Sequence, residues 1–258
     1  MELIYVGDTC VSHLFFVDDC FLFCKANLSE VITLTGILNT YAATSGQEIN
    51  LLKSEVFFSR NLSHAAQKDL AKLLGVRHVL DTGSYMGLPS MIGTSKKATF
   101  SFVKDRVWKR INSWSGRSLS KAGKEVMIKS VLQSILAYIM SVYLTPDGVV
   151  KDIERMLNSF WWGGGRNNKG IRWMAWDRLT SLKSEGGMRF RDFKAFNIVV
   201  VAKQGWNLLS KPNSLVSRIF KARYFPRSSF LKVKVGYNLN FVWRSLWKAK
   251  DVLKMGCR

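Results

Sequence analysis

Most of this chain carries apolar residues at the spacing of buried helix faces, and its first quarter carries the short apolar runs of strands. From residue 93 onward the apolar positions recur every three or four residues, which is the period of one face of an α-helix. The spacing predicts a helix around 100–114, a second that stops before Pro146 and a third over about 147–160. Further helices are predicted over 29–45, 63–74, 192–209, 214–224 and 240–254.

Local residue types predict how the helices and strands of the first 90 residues begin and end. Ser29 is a good N-cap, and Gly46 and Gly75 are natural residues to end the two helices before them. The predicted strands and turns in this part are 49–51, 56–58 and 85–89. The whole pattern predicts an α+β fold, with too few strands for a complete sheet.

A helical core accounts for the apolar stripes after residue 93, so we give them no functional meaning. The predicted core positions are Phe100, Val103, Val107, Ile111, Trp114, Ile128, Leu132, Ile135, Ile139, Val142, Ile153, Met156, Leu157 and Phe160.

Two adjacent carboxylates, Asp18 and Asp19, interrupt an apolar and aromatic run that begins at His13 and continues to Phe23. The run is typical of two short strands joined by a tight connection at 17–19. Two like charges among buried strands are costly unless a cation or hydrogen bonds compensate them. A divalent metal is the usual compensator where paired aspartates serve phosphoryl transfer. The alternative is a solvated turn, since Asp is a common turn residue.

The charge of the chain is strongly positive and unevenly placed. Its 39 Lys and Arg against 18 Asp and Glu give a formal net charge of +21. Residues 1–60 contain three basic and seven acidic side chains, so the positive excess lies entirely in the rest of the chain. Such an excess indicates a polyanionic partner, because Lys and Arg release counterions when they contact phosphates. A membrane is not the favoured partner, since no long uncharged apolar segment predicts insertion.

The four cysteines and three histidines predict neither a disulfide framework nor a zinc site. No Cys-x-x-Cys pair and no cysteine–histidine set has the spacing of metal ligands. Reduced thiols in an intracellular protein are the favoured interpretation. The nucleus and the cytoplasm are both compatible with the sequence, because no targeting signal decides between them.

Basic side chains are densest between Lys96 and Lys129, where two acidic residues accompany them. This density predicts phosphate contacts, although charged helix faces are often merely solvated. Tryptophans also stand beside basic residues from Trp161 to Trp176. These tryptophans are typical of a small core, and base stacking between cations is the alternative.

Several short motifs follow one another in a fixed order along the chain. They are His13-Leu14-Phe15-Phe16-Val17-Asp18-Asp19, Ser45-Gly46-Gln47-Glu48-Ile49-Asn50 with Lys53-Ser54, Tyr85-Met86-Gly87-Leu88-Pro89, Arg110-Ile111-Asn112-Ser113-Trp114, Leu119-Ser120-Lys121-Ala122-Gly123-Lys124, Phe160-Trp161-Trp162-Gly163 and Glu185-Gly186-Gly187. In this order and spacing they resemble the reverse transcriptase of non-LTR retrotransposons, most closely the plant long interspersed type. The resemblance covers nearly all of the chain after about residue 11.

The resemblance implies a right-hand polymerase, of which this chain would hold the later palm, the thumb and a connector. A partial palm of short antiparallel strands and helices is expected in 1–90. A basic, mainly helical thumb is expected in 91–160, and a Trp-rich helical connector in 161–258.

The resemblance also implies roles for individual residues. Asp18 would bind Mg²⁺ with Asp19 beside it, and Lys53 would neutralise or protonate the pyrophosphate leaving group. Tyr85 and Gly87 would lie where the primer terminus is held. The thumb would bind an RNA–DNA hybrid or duplex without sequence preference through Lys96, Lys97, Lys104, Lys109, Arg110, Arg117, Lys121 and Lys124.

One departure from the family pattern bears on activity. Two-metal catalysis needs carboxylates from two strands, and Asp18 and Asp19 are neighbours on one hairpin. We expect the other palm aspartate and the fingers to precede residue 1, so that these 258 residues are inactive alone and bind Mg²⁺ weakly. The alternative function is a non-enzymatic, basic nucleic-acid-binding protein derived from such an element.

Overall fold

A computed structural model of the chain describes residues 4–6, 9–59, 61–79, 84–85, 88–89, 95–114, 119–163, 171–237 and 240–256. The chain divides into two compact units. The strand-containing unit comprises Met1–Met91 with Arg218–Pro226, and the helical unit comprises Ile92–Ser217 with Arg227–Arg258. The α+β expectation is confirmed, because helices dominate and the strands are few and short.

The strands of the first unit form two-stranded sheets with two helices between them. Three of the pairs are antiparallel hairpins, and the pair of β5 with β6 is parallel. The elements are β1 (Ile4–Val6), β2 (Thr9–Val11), β3 (His13–Phe16), β4 (Asp19–Leu22), α1 (Leu28–Ser45), β5 (Glu55–Val56), α2 (His64–Leu74), β6 (Arg77–His78), β7 (Ser84–Tyr85) and β8 (Leu88–Pro89).

Both helices of this unit end at the predicted glycines. Gly46 and Gly75 have φ angles of 68° and 69°, a left-handed conformation that glycine adopts without a side-chain clash. The predicted N-cap at Ser29 is wrong, because Asn27 caps α1 and its Oδ1 accepts a hydrogen bond from the Glu30 amide at 2.8 Å. Asn and Ser are equally good caps, so the choice between them was a local competition.

The strand predicted at 49–51 is wrong. Asn50 instead starts a turn, in which its carbonyl oxygen and its Oδ1 both accept from the Lys53 amide, at 3.2 and 3.1 Å. Asn side chains favour such turns because they offer the backbone an alternative to a sheet ladder. The strand predicted at 56–58 is shorter than expected and lies at Glu55–Val56, where it pairs in parallel with β6.

The second unit is built of helices. The longer ones lie close to the predicted bounds, whereas the short helices at Lys96–Thr99 and Trp176–Thr180 were not predicted. A π-helical turn at Ile128–Leu132 joins α5 to α6, and a 3₁₀ turn lies at Lys183–Glu185. The helix α10 contributes residues to both units. The helices are α3 (Lys96–Thr99), α4 (Ser101–Ser113), α5 (Lys121–Met127), α6 (Gln133–Met140), α7 (Asp147–Trp162), α8 (Trp176–Thr180), α9 (Phe193–Ser210), α10 (Leu215–Tyr224) and α11 (Phe241–Gly256).

The predicted apolar stripes form the core of the helical unit. Their most buried members are Phe100, Val103, Val107, Ile128, Leu132, Ile139, Ile153 and Leu157, each at most 1% exposed. Others, namely Ile111, Ile135, Val142, Met156 and Phe160, are half-buried at the edges of the same faces.

The tryptophans divide between core and surface. Trp161 and Trp176 are buried, and the Trp176 ring stacks on Phe190 and Phe193 with centroids 5.2 and 5.8 Å apart. Trp173 is 73% exposed, so the core interpretation fails for this residue. A buried indole contributes a large apolar area to a small core.

The motif Glu185-Gly186-Gly187 has a steric explanation. Gly186 has a φ of 81°, which favours glycine. A Cβ on Gly187 would collide with the backbone of Ser181, because the chain doubles back on α8 there. The return is fixed by the amides of Met188 and Phe190, which both donate to the Leu179 carbonyl.

One buried amide, that of Asn197 in α9, connects three elements of the helical unit. Its Nδ2 donates to the Met140 carbonyl at 2.7 Å and to the Tyr143 carbonyl at 2.8 Å. Its Oδ1 accepts from the Thr145 amide at 2.7 Å. Asn197 thereby satisfies three backbone groups in the connection between α6 and α7, and buried backbone groups need such partners.

The helix α11 supports the same connection from its own side. The Leu144 amide donates to Ser245 Oγ at 3.1 Å, and α11 packs along α9. A Cβ on Gly205 would lie 3.0 Å from the Phe230 ring and 3.1 Å from Leu253, so a glycine allows this close approach. Across the described residues, no helix is long and apolar enough to cross a membrane.

We predict that Asn197→Ala lowers the free energy of unfolding by about 3 kcal/mol or more, because three buried backbone groups lose their partner. Urea denaturation followed by circular dichroism measures the change. The matched control is Asn207→Ala on the same helix, whose half-buried side chain donates to Gln204 Oε1 at 3.2 Å and to no backbone group among the described residues. The control should cost under about 0.5 kcal/mol. Equal losses in both variants would contradict the role of Asn197.

Candidate carboxylate hairpin and nucleic-acid interface

The two adjacent carboxylates lie at the tip of the β3–β4 hairpin. Phe16 pairs with Asp19, which leaves Val17 and Asp18 as a two-residue connection. Val17 has a φ of 51°, as the favoured two-residue hairpin turns require, although a β-branched residue is strained in that conformation. The predicted tight connection is confirmed, and Asp19 is already the first residue of β4.

The hairpin is more exposed than the sequence indicated. All four residues of β3 are exposed, with Phe15 at 70%, and Val17 in the turn reaches 86%. The expectation of buried strands is therefore wrong for β3. The sheet has only the two strands β3 and β4 among the described residues, and the side chains of β3 are left open to solvent. Asp18 and Asp19 are also exposed, so water can solvate both charges.

The described carboxylates around the hairpin do not form a Mg²⁺ cage. Asp18 and Asp19 offer oxygen ligands from one side, whereas Mg²⁺ demands near-octahedral geometry. In the described part of the chain no group of three or more His, Cys, Asp or Glu side chains could hold a metal ion.

Of the other residues expected around the polymerase chemistry, Lys53 and Tyr85 belong to elements separate from the hairpin. Lys53 lies exposed in the turn that follows Asn50, and no hydrogen bond or ion pair joins it to Asp18 or Asp19. Tyr85 ends β7, where it pairs with Leu88. Gly87 lies outside the described residues.

Two of the predicted phosphate-binding lysines hold the C-terminal end of α7. Lys121 Nζ donates to the Trp161 carbonyl at 2.9 Å and lies 4.7 Å from the ring centroids of both Trp161 and Trp162. Lys124 Nζ donates to the Gly163 carbonyl. Cations are stabilising here because the last carbonyls of a helix lack partners and carry partial negative charge.

Burial shifts the ionisation of both lysines. Burial lowers the pKa of Lys121, and burial together with repulsion from Lys121 lowers the pKa of Lys124. A third predicted residue, Lys104, forms an ion pair with Asp152 of α7 at 3.2 Å. These three lysines therefore have structural contacts that the sequence did not reveal.

The exposed basic side chains of α4 form a separate feature. Arg106, Lys109 and Arg110 are exposed, and Lys109 and Arg110 stand three and four residues after Arg106, so they share one side of the helix beside the buried Val103 and Val107. We call these three residues the α4 ridge. Within the described residues, none of the three has an ion pair with an acidic side chain.

Arg106 was not among the predicted site residues, although its helical spacing from Lys109 and Arg110 was a usable signal. Of the remaining candidates, Lys96 places its ammonium 5.0 Å from the Phe241 ring. Lys97 belongs to α3, and Arg117 lies outside the described residues.

A partly buried carboxylate lies on α7 in this basic unit. Burial raises the pKa of Glu154 to about 7, repulsion from Asp177 and Asp192 adds to the shift, and Lys151 opposes it. Asp177 stands in the first turn of α8, and Asp192 caps α9. Glu154 of α7 therefore faces the repulsion of two carboxylates that stand at the beginnings of α8 and α9.

Two proteins of Arabidopsis thaliana are similar to this chain. An uncharacterized mitochondrial protein is 34% identical over 120 residues, which are 46% of this chain and 78% of the relative. A putative ribonuclease H protein is 29% identical over 177 residues, which are 66% of this chain and 28% of the relative's length. No family model matches the chain. The two matches are consistent with a protein derived from a plant retroelement.

We predict that the contribution of Glu154 to stability falls as the pH rises from about 4.5 to 7, because folded Glu154 holds its proton more tightly than unfolded Glu154 does. Glu154→Gln removes the buried charge. Its melting temperature should exceed that of the parent at pH 8, and the difference should vanish near pH 4. The control Glu185→Gln changes an exposed carboxylate and should give no gain at pH 8. A difference that is the same at both pH values would contradict the assignment.

Proposed function

The chain belongs to the family of the uncharacterized mitochondrial protein of Arabidopsis thaliana, and we propose that it is the later palm, thumb and connector of a non-LTR retrotransposon reverse transcriptase. The observation that carries the proposal is the β3–β4 hairpin, which presents Asp18 and Asp19 at a two-residue turn. The order of the surrounding motifs supports it, as does the similarity to a putative ribonuclease H protein.

In the proposed polymerase, the hairpin carries carboxylates to the reaction centre. Asp18 and Asp19 are its acidic residues, Lys53 serves the pyrophosphate leaving group, and Tyr85 and Gly87 contact the primer. Because the described residues do not complete a metal site, we further propose that the 258 residues alone bind Mg²⁺ weakly and do not polymerise.

Sequence-independent binding of an RNA–DNA hybrid or duplex belongs to the same proposal. The α4 ridge is the best-suited of the candidate surfaces between 96 and 129, since Lys104, Lys121 and Lys124 each donate to a protein oxygen. Arg106 and Arg110 lie 5.7 and 5.8 Å from the ring centroids of Phe102 and Trp114, and both remain exposed. Contacts from lysine and arginine to phosphates position a duplex without reading its sequence.

A second candidate function is a non-enzymatic nucleic-acid-binding protein of retroelement origin. The exposed α4 ridge favours it, because phosphate binding needs exposed cations and no metal-binding carboxylates. Polymerisation and phosphate binding are therefore tested separately.

We predict no primer extension by the 258-residue chain on an RNA template with Mg²⁺. When it is joined to the fingers and earlier palm of a plant non-LTR reverse transcriptase, the fusion should extend primers. Asp18→Asn should abolish that extension, whereas Asp69→Asn on the exposed face of α2 should preserve it. Incorporation by the chain alone that Asp18→Asn abolishes would contradict the expected inactivity. A fusion whose activity survives Asp18→Asn would contradict the reverse-transcriptase proposal.

We predict that replacing Arg106, Lys109 and Arg110 together by Gln reduces the slope of log affinity against log salt concentration for duplex binding by about 2–3. Each lost phosphate contact should account for roughly 0.9 of that change. Fluorescence anisotropy with a labelled duplex measures the slope.

The matched control is the triple variant Lys104→Gln with Lys121→Gln and Lys124→Gln, which loses the same charge. It should lower stability, because each lysine loses a contact with α7 or its end, and it should change the slope less than the ridge variant does. An unchanged slope in a folded ridge variant would mean that the ridge only keeps the protein soluble.

A further inference from the structure

The C-terminal part of the helical unit carries a second concentration of positive charge. Residues 227–256 contain seven basic side chains and a single acidic one, Asp251. Two of the seven are already engaged, since Lys250 is buried against a carbonyl and Lys254 lies 3.8 Å from Asp251. Another, Arg227, is exposed and precedes the segment 232–235. The remaining four, Lys232, Lys234, Arg244 and Lys248, are exposed and have no ion pair with an acidic group among the described residues.

The helix α11 presents two of these cations on one face. Arg244 and Lys248 are four residues apart, so they lie one above the other on the helix. The opposite side packs Trp243, Leu246 and Ala249 into the core. Because α11 is anchored on α9, the exposed pair is held on a rigid element.

The other two cations stand on a segment that α11 holds in place. Trp247 Nε1 and Lys250 Nζ both donate to the Val233 carbonyl, at 3.1 and 2.7 Å. Trp243 Nε1 donates to the Val235 carbonyl at 3.1 Å. These bonds bring the segment 232–235 alongside α11, and its lysines point to solvent on either side of the half-buried Val233.

An aromatic side chain adjoins this cationic surface. Tyr237 is fully exposed and follows Gly236, whose φ of 65° turns the chain just beyond the segment that α11 holds. Exposed aromatic rings beside cations are the arrangement on which unpaired bases stack. In a duplex the bases already stack on one another, so the ring would have no partner there.

We propose that Lys232, Lys234, Arg244 and Lys248 form a binding surface for single-stranded nucleic acid, with Tyr237 stacking on an unpaired base. We call these four residues with Tyr237 the α11 surface. The α11 surface shares no residue with the α4 ridge, and its proposed ligand is a single strand rather than a duplex. The proposal does not depend on polymerase activity. The four unpaired cations repel one another, and a phosphodiester backbone relieves that repulsion.

The test uses the full chain and a labelled uridine 16-mer, with affinity followed by fluorescence anisotropy across potassium chloride concentrations. Replacing the four cations by Gln should reduce the slope of log affinity against log salt concentration by about 2–3. Each lost contact with a single-strand phosphate should account for roughly 0.7 of that change. The matched control replaces Arg178, Lys194, Lys203 and Lys211, four exposed cations elsewhere in the unit, and loses the same charge. An equal slope change in the control would show that net charge alone binds RNA and would overturn the proposal.

The stacking role has its own test. Tyr237→Ala should weaken binding roughly 5- to 150-fold at an unchanged salt slope, because stacking adds affinity without neutralising a phosphate. An unchanged affinity would overturn the stacking role. Circular dichroism and the melting temperature verify the fold of each variant, and the double variant Lys234→Gln with Lys248→Gln replaces the quadruple variant if the latter unfolds.

Two further arms separate the ligand sources. A quadruple variant that loses binding to a 16-base-pair duplex more than to the single strand would overturn the single-strand assignment. Vesicles of phosphatidylserine in phosphatidylcholine test an anionic membrane. Co-sedimentation that depends on the four cations, with RNA binding intact, would overturn the proposal in favour of a lipid surface.

Discussion

The helical unit depends on the three hydrogen bonds of the Asn197 side chain. They fix the connection between α6 and α7. Without them the carbonyls of Met140 and Tyr143 and the amide of Thr145 would lose these partners. Ser245 of α11 completes the same connection through the Leu144 amide. With that connection fixed, α7 has a defined direction, and its far end comes within reach of Lys121 and Lys124.

This frame divides the positive charge of the unit into two kinds. Some lysines act within the fold, such as Lys104 on Asp152 and Lys250 on the Val233 carbonyl. Others stay exposed on helices that bury another part of their surface, as on α4 and α11. A protein interior gives a lysine carbonyls and rings to contact, whereas an exposed face leaves its charge to solvent and to polyanions. The density of Lys and Arg in the sequence reports the sum of both kinds.

The carboxylate hairpin shows a different division between local and global information. Its turn follows from local pairing, because β3 and β4 are adjacent in sequence and Phe16 opposes Asp19. Its exposure does not, because burial of Phe15 and its neighbours depends on which layers cover the sheet. An aromatic run flanking two aspartates predicts the strands, and it does not predict what lies on them.

The sequence by itself determined the helices, the apolar stripes that form their core, the glycine ends at Gly46 and Gly75, and the place of the Asp18–Asp19 turn. These features depend on residues within a few positions of one another, and periodicity and capping record such relations directly. The sequence also contained the spacing of the α4 ridge and the charge excess at 227–256.

Only the tertiary structure decided which of the clustered cations are engaged, where Asn197 acts, and how the 232–235 segment is held on α11. It also replaced the predicted strand at 49–51 by a turn and placed the β5–β6 pair in parallel. Lys121 meets Trp161 across 40 positions and Asn197 meets Thr145 across 52. Contacts between residues so far apart depend on how the helices pack, and no local pattern in the sequence records that packing.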